Sequence, residues 1–386
     1  MSRPEPDRGK GVSPTPEQFI ARRVAGVESS GIRRVFDLGR ALTRPVDFSI
    51  GQPDFDVPEP VKDAAIAAIR AGANRYTVTQ GIPELREKIR QRIIARTGWT
   101  PEATMVTSGV SGGLMLALLA LVDPGDEVLI PDPYFLSYKQ LVTLFGGVPR
   151  FIDTYPDFRL RAEALEAAVT PRSKLLILNS PANPTGVVYS LAELHLATEF
   201  ARAHGLFVIS DEIYHDFTYD GEYHSAAECT DQLLLLDGFS KSYAMTGWRV
   251  GYAAGPAAII NEMAKLQQFS FVCAPAPMQM AAVAALDLPV AEVQAAYRAK
   301  RDLVYEGLAD CYEVTRPEGA FYIFPRVPGG TDEEFVTRAV EHNLLIIPGS
   351  VFSERHSHFR LSFATSEQTL LVGLEMLRRW ARQGFS

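Results

Sequence analysis

Cysteine is scarce: the 386 residues hold only Cys229, Cys273 and Cys311, far apart and without a Cys or His partner at metal-ligand spacing. An odd, scattered set supports neither a disulfide framework nor a zinc site, and reduced structural thiols are expected. Basic charge is also short. The 38 Lys and Arg against 46 Asp and Glu leave a net charge of −8, the wrong sign for neutralising a run of phosphates, so nucleic acid is not expected as a partner. Long apolar runs are missing too. The longest, Leu114–Val122, is under half of the ~20 residues that a membrane-spanning helix needs, and no membrane partner is expected. The opening residues MSRPEPDRGKGVSPTPEQF contain no apolar core of the kind a secretory signal carries, which makes the cytoplasm the expected compartment.

What is present is the composition of an ordinary globular protein, 47% hydrophobic and 22% charged, long enough for two or three packed units at about 150 residues each. Residues 1 to about 17 mix Pro, Gly, Arg and Asp without periodicity and read as a mobile start to an N-terminal arm, residues 1–30. From Ala103 onward, short apolar runs alternate with longer amphipathic stretches. Strands are expected at Ala103–Thr107, Glu127–Pro131, Lys174–Asn179, Leu206–Ser210 and Leu233–Asp237, and helices at about 111–122, 134–146, 190–204 and 256–268. This alternation predicts an α/β fold, a mainly parallel sheet covered by helices, over residues 61–289. After about residue 290 come a long helix through Arg301, strands near 312–316 and 320–325, a helix near 331–343, and strands near 344–347 and 358–363. They suggest a smaller α+β domain of residues 290–386. Residues 31–60 are expected to join it as an irregular, strand-containing segment, because the Gln52-Pro53-Asp54 and Val57-Pro58 turns exclude regular helix.

Open parallel sheets bind ligands beyond the carboxyl ends of their strands, and four of these predicted strands end in reactive chemistry. The first runs into Ser108-Gly109-Val110-Ser111-Gly112-Gly113 and a helix, an anion cradle of backbone N–H groups at the positive end of a helix dipole. Taken alone it is a tight turn. Lys174–Asn179 leads into Asn179-Ser180-Pro181-Ala182-Asn183-Pro184-Thr185-Gly186, which presents two amides to the crevice. Leu206–Ser210 leads into Asp211-Glu212-Ile213-Tyr214, an acid that is either a helix N-cap or a desolvated carboxylate in need of a partner. The last leads into Gly238-Phe239-Ser240-Lys241-Ser242 and then Thr246-Gly247-Trp248-Arg249. Buried there beside Arg249, Lys241 would have a pKa below the usual ~10.4 and serve as an amine nucleophile. Otherwise it is a solvated loop lysine. Anion cradle, acid, phenol, amide and lysine at one sheet edge meet the needs of pyridoxal 5'-phosphate, whose phosphate, ring nitrogen, phenolate oxygen and aldehyde require separate partners.

At these residues the sequence resembles the class I/II aminotransferases, fold-type I pyridoxal-phosphate enzymes, and their aspartate-aminotransferase-like members, from about Ile32 to the C-terminus. Ser240-Lys241-Ser242 with Gly247-Trp248-Arg249 is similar to the family's cofactor-lysine signature, Asn183-Pro184-Thr185-Gly186 to its Asn-Pro-Thr-Gly loop, and Asp211-Glu212-Ile213-Tyr214 to its ring-binding segment. The resemblance implies that Lys241 anchors the cofactor and moves the proton at the substrate Cα, and that Asp211 keeps the pyridine nitrogen protonated. It implies that Tyr214 and Asn183 hold the phenolate oxygen and that Phe135, in Pro133-Tyr134-Phe135, stacks on the ring. Gly109, Val110, Ser111, Ser240 and Arg249 would bind the phosphate, and Tyr76 would reach the phosphate of the neighbouring subunit in a homodimer. Arg360, in His358-Phe359-Arg360-Leu361-Ser362-Phe363, resembles the clamp on the substrate α-carboxylate, helped by the backbone N–H of Gly51.

The implied reaction moves an amino group between an α-amino acid (aspartate, aromatic or other neutral) and a 2-oxo acid such as 2-oxoglutarate. Some aspartate-preferring members carry lysine where Ser111 stands, and many have Gly after the phenylalanine where this chain reads Phe352-Ser353-Glu354. A dicarboxylate needs a second cation and no local motif supplies one, although Arg33 and Arg34 lie in a segment that borders the entrance in the family; otherwise the two are simply solvated. C–S lysis and racemisation begin from the same proton removal at Cα and are the alternative activities. A remoter one is serine hydrolysis, because Gly109-Val110-Ser111-Gly112-Gly113 satisfies Gly-x-Ser-x-Gly, with Asp211 and His356 or His358 following in order.

Overall fold

The computed structural model describes residues 15–40 and 42–384; the first part of the expected arm, residues 1–14, lies outside them. Residues 15–29 are mostly exposed and hold two short turns, Pro16–Phe19 and Arg22–Ala25.

Twelve strands follow among the described residues. They are β1 (Val46–Asp47), β2 (Ala103–Thr107), β3 (Glu127–Asp132), β4 (Val148–Asp153), β5 (Ser173–Asn179), β6 (Phe207–Asp211), β7 (Leu233–Gly238), β8 (Gly251–Gly255), β9 (Tyr322–Ile323), β10 (Leu344–Leu345), β11 (Ile347–Pro348) and β12 (Phe359–Ser362). A seven-stranded sheet has the order β2-β8-β7-β6-β5-β3-β4. Only β8 runs antiparallel to its neighbours β2 and β7; the other pairings are parallel. All five strands expected in this region form.

The leucine run of β7 explains why the sheet is buried on both faces. Leu233 and Leu235 belong to one hydrophobic cluster and Leu234 and Leu236 to the other, because successive side chains point to opposite faces. Two strands lacked a sequence signature. β4, at the sheet edge, contains Pro149, which an edge position tolerates because one side of the strand needs no ladder partner. β8 reads Gly-Tyr-Ala-Ala-Gly, without β-branched residues, and is defined by the partners on either side.

Beyond the sheet, β11, β12 and β9 form an antiparallel trio and β1 pairs in parallel with β10. Two expectations are corrected here. Residues 312–316 form no strand; the segment is held through Tyr312 Oη, which donates to Leu377 O at 2.9 Å. Residues 31–39 are a helix, Gly31–Gly39, because Ser30 accepts a capping bond from Arg33 N and the proline turns lie downstream of it.

Candidate functional site

A cavity of about 280 Å³ opens at the carboxyl edge of the large sheet, where β2, β5, β6 and β7 end together. β8 enters from this edge, so Arg249, two residues before it, comes to the same place. Eleven of the residues singled out from the sequence line the cavity: Gly51, Val110, Ser111, Phe135, Asn183, Asp211, Tyr214, Ser240, Lys241, Arg249 and Arg360.

Strand alternation aims the acid. Val208 joins one hydrophobic cluster and Ile209 the other, and Asp211, on the Ile209 side, meets Tyr138 of the Ser137–Leu144 helix. Tyr138 Oη donates to Asp211 Oδ2 at 2.7 Å and Ile213 N donates to Oδ1 at 3.3 Å. Burial raises the Asp211 pKa to about 6. The two hydrogen bonds pull it down, while the nearby Asp237 and Glu212 push it up. The acid is a desolvated carboxylate and not a helix cap, and no cation among the described residues forms a salt bridge with it.

Lys241 Nζ donates to Gly51 O at 2.6 Å and lies 5.7 Å from the centre of the Tyr214 ring. Burial, then the Arg360 charge, and then that of Arg249, lower its pKa to about 8 against the opposing pull of Asp211. The sequence had suggested Arg249 as the like charge; the buried Arg360 is the larger influence. Arg360, 1% exposed, donates from Nη1 to Asn183 Oδ1 at 3.1 Å and from Nη2 to Ser49 O at 2.8 Å. Its guanidinium lies 4.5 Å from the Tyr322 ring centre and 4.6 Å from that of Phe352, its Nε has no hydrogen-bond partner, and it forms no ion pair among the described residues.

The Gly109–Leu121 helix presents its N-terminus to the cavity through Val110 and Ser111 and carries no side-chain cap. Gly109 sits at φ +69°, and a Cβ there would stand 2.6 Å from Arg249 Nη2. Arg249 itself has φ +58°, an uncommon conformation for a residue with a side chain. Its Nη1 donates to Thr246 O at 2.8 Å and its Nη2 reaches Ser108 O at 3.4 Å.

Tyr76 does not line the cavity and is 82% exposed. Three polar lining residues were not selected from the sequence, Tyr138, Thr246 and Tyr322, and Asn179 was read only as one of the two amides that its loop presents. Tyr138 is three residues after Phe135, and its ring meets the Phe135 ring edge-on at 5.6 Å, a helical spacing that could have marked it. Asn179 straps two strand ends, donating to Asp211 O at 3.0 Å and accepting from Asn183 N at 2.9 Å. Tyr322 Oη is 2.9 Å from Tyr214 Oη, a contact that no local pattern foretells.

The hydrolase alternative fails on geometry. No histidine lines the cavity; His356 pairs with Asp332 and His358 stacks on Phe324, so Ser111 lacks the histidine base of such a triad. Arg33 pairs with Asp37. Arg34 lines a separate cavity of about 610 Å³ that shares no residue with this one, and neither arginine reaches the site.

An open α/β sheet with a lysine, an acid and an arginine converging at its carboxyl edge defines the class of fold-type I transferases. Residues 43–377 match the family Aminotransferase class I and II. A probable aspartate aminotransferase of Methanocaldococcus jannaschii is 37% identical, over 93% of this chain and 99% of that one. An aromatic-amino-acid aminotransferase of Thermococcus litoralis is 34% identical, over 93% and 97%. Among solved structures, the aspartate aminotransferase of Thermus thermophilus with maleate superposes with a TM-score of 0.89 at 36% identity, over 93% and 99%. The chain belongs to the aminotransferase class I and II family, whose members depend on pyridoxal phosphate, and it is an aminotransferase.

Proposed function

We propose that this aminotransferase holds pyridoxal 5'-phosphate in the 280 Å³ cavity and moves amino groups between α-amino acids, aspartate and aromatic ones among them, and 2-oxo acids such as 2-oxoglutarate. The observation that carries this reading is the meeting of three groups in one cavity: a half-buried lysine of lowered pKa, a buried carboxylate without a cation, and a buried guanidinium without an anion. Three cations, Lys241, Arg249 and Arg360, against one carboxylate, Asp211, favour an anionic occupant.

The residues fit the cofactor. The uncapped N-terminus of the Gly109–Leu121 helix, Ser240 and Arg249 suit a phosphate dianion. Asp211 suits a protonated ring nitrogen, Tyr214 and Asn183 an adjacent phenolate, and Phe135 a ring face. When bound, the cofactor supplies an aldehyde that takes up the amino group and a cationic ring that draws electrons from the substrate Cα. Asp211 holds the proton on that ring. Lys241, the covalent anchor, moves the proton at Cα once substrate frees its amine, and a pKa near 8 keeps a useful fraction neutral at physiological pH. Arg360 with Gly51 fixes the substrate carboxylate and so orients the Cα–H bond.

Arg360 is the cation left for that carboxylate, and no second clamp lines the cavity among the described residues. A broad amino-acid range follows, since apolar pockets discriminate by only ~10- to 200-fold per methylene-sized change. The site is proposed to lie in a cleft between a large domain, residues 61–289, and a small one, residues 31–60 with 290–386. The active unit is proposed to be a homodimer in which Tyr76 of each chain serves the other's phosphate. Two measurements test the reading. Borohydride treatment of the cofactor-loaded protein and peptide mass mapping should leave the cofactor's mass on Lys241. With 2-oxoglutarate as acceptor, kcat/KM for aspartate and phenylalanine should fall within about 100-fold of each other; strict restriction to aspartate would overturn the broad range, and turnover surviving in Lys241→Ala would overturn the mechanism.

A further inference from the structure

Behind the sheet edge, on the face away from Tyr138, lies a block of six charges, three of them buried and three partly exposed, that the reaction does not touch. Arg96, near the end of the Pro83–Thr97 helix and 15% exposed, reaches two strand ends at once. Its Nη2 is 2.9 Å from Glu212 Oε2 and its Nη1 is 3.2 Å from Asp237 Oδ2. Glu212 also accepts from Ser210 Oγ at 2.9 Å and Ser225 Oγ at 2.6 Å. Asp237 accepts from Tyr252 Oη and from Gly238 N, each at 2.6 Å. His215 bridges Asp237, 3.2 Å from Nδ1, and Asp216, 3.2 Å from Nε2, and Arg92 pairs with Asp216 at 3.2 Å. Burial and the Arg96 charge oppose protonation of His215, but Asp216 and Asp237 outweigh them and lift its pKa to about 9. Three cations therefore balance three carboxylates.

The block adjoins each functional loop in sequence. Glu212 follows Asp211, His215 follows Tyr214, and Asp237 opens the Gly238-Phe239-Ser240 turn that ends at Lys241. Period-two alternation sends Asp211 to the cavity face and Glu212 to the opposite one. We propose that Arg96 is a positioning residue for the transamination: by gripping Glu212 and Asp237 together, its guanidinium fixes the start of the loop after β6 to the end of β7, from which the Lys241 turn departs, and so sets the separation and relative charge of Asp211 and Lys241, neither of which it touches. The planar fork matters because two donors at fixed angles can hold two carboxylates, whereas an ammonium is a point charge on a flexible stem. The positive charge matters because Glu212 and Asp237 both act to protonate Asp211, and Arg96 stands between them.

The inference rests on the proposed roles of Asp211 and Lys241, so the experiment includes Lys241→Ala. Loaded wild type, R96K and R96M are compared by the pH titration of the bound cofactor's visible absorbance, by kcat and KM, and by Tm. R96K, which keeps the charge and loses the fork, is expected to fold, to move the absorbance midpoint by at least about 0.3 pH unit, and to lower kcat about 5- to 20-fold with KM changed less than about 3-fold. R96M, which loses both, should move the midpoint further. Unchanged midpoint and kcat in R96K overturn the proposal. So does a kcat loss that tracks Tm with no midpoint shift, since that marks a purely structural cluster. If R96M does not fold, R96K decides alone. If Lys241→Ala keeps its turnover and absorbance band, the reading of the site itself fails; if it loses both while R96K behaves as wild type, only the role of Arg96 fails.

Discussion

Asp211 and Glu212 are adjacent acids with opposite surroundings, and the difference follows from the strand that delivers them. One faces a phenol and a cavity, the other an arginine and two serines. The phenol is not a passive neighbour. Tyr138 donates to the carboxylate and so favours its charged form, whereas burial favours the neutral one. Removing the hydroxyl in Tyr138→Phe takes away a stabiliser of the ionised state, so the Asp211 pKa should rise from its already elevated position. Because the ionised acid is the form proposed to hold the ring proton, the acidic limb of the kcat/KM profile should move to higher pH, by up to about one unit for a hydrogen bond worth ~1 kcal/mol. A limb that stays in place or moves to lower pH would show that Tyr138 does not govern this acid. Asp211→Asn should cost several powers of ten in turnover, and a loss below tenfold, about 1.4 kcal/mol, would make the acid merely structural.

At the scale of elements, the start of the Gly109–Leu121 helix joins two constraints, a positive φ and a close approach to Arg249. Gly109→Ala would impose a strained backbone and a collision at 2.6 Å with the guanidinium proposed to hold phosphate. Gly98, at φ +71° with nothing within 4 Å of its missing Cβ, offers the control, since Gly98→Ala carries the same backbone strain of about 1 kcal/mol and no collision. By equilibrium dialysis, cofactor affinity should fall at least about tenfold in Gly109→Ala and stay unchanged in Gly98→Ala, although both should lower Tm. The same elements show why some structure was legible in the sequence. The strands β5, β6 and β7 are apolar runs ending abruptly in polar residues, which is the local signature of a strand buried on both faces and open at one end. The cavity-lining residues they deliver were therefore visible as well. β8 was not, because Gly251-Tyr252-Ala253-Ala254-Gly255 fits only through closeness to neighbours: a Cβ on Gly251 would stand 2.6 Å from the Gly109 backbone. Tyr322 escaped for a similar reason, since its meaning lies in Tyr214 and Arg360, both more than 35 positions away in sequence.

The surface of the whole molecule bears on the proposed homodimer. The Glu59–Arg70 and Ala276–Ala285 helices pack together and leave Ile66, Ile69 and Met280 exposed, and the loop beside them exposes Tyr76 and Val78. That loop is stitched down by Gln279 Nε2 to Thr77 Oγ1 at 3.0 Å and by Gln267 Nε2 to Thr79 O at 2.6 Å, and Phe269, two residues beyond Gln267, is 88% exposed. Phe271, also exposed, lies 3.6 Å from where a Cβ on Gly112 would stand, in the first turn of the helix proposed to cradle the phosphate. Exposed apolar side chains of this number are what a second copy would cover. The arrangement makes a test that activity of single variants cannot supply. On the proposed roles, Tyr76→Ala lacks a phosphate contact and Lys241→Ala lacks the covalent anchor, so each alone should be inactive at limiting cofactor. If Tyr76 serves the partner's site, a mixed dimer has one site with both defects and one with neither. Random exchange makes half of the dimers mixed, so about a quarter of all sites should regain activity. If Tyr76 served its own chain, each site of a mixed dimer would keep one defect and mixing would restore nothing. Recovery near a quarter of wild-type activity supports the crossed site, and none despite demonstrated subunit exchange, followed by mass spectrometry of the intact dimers, rejects it.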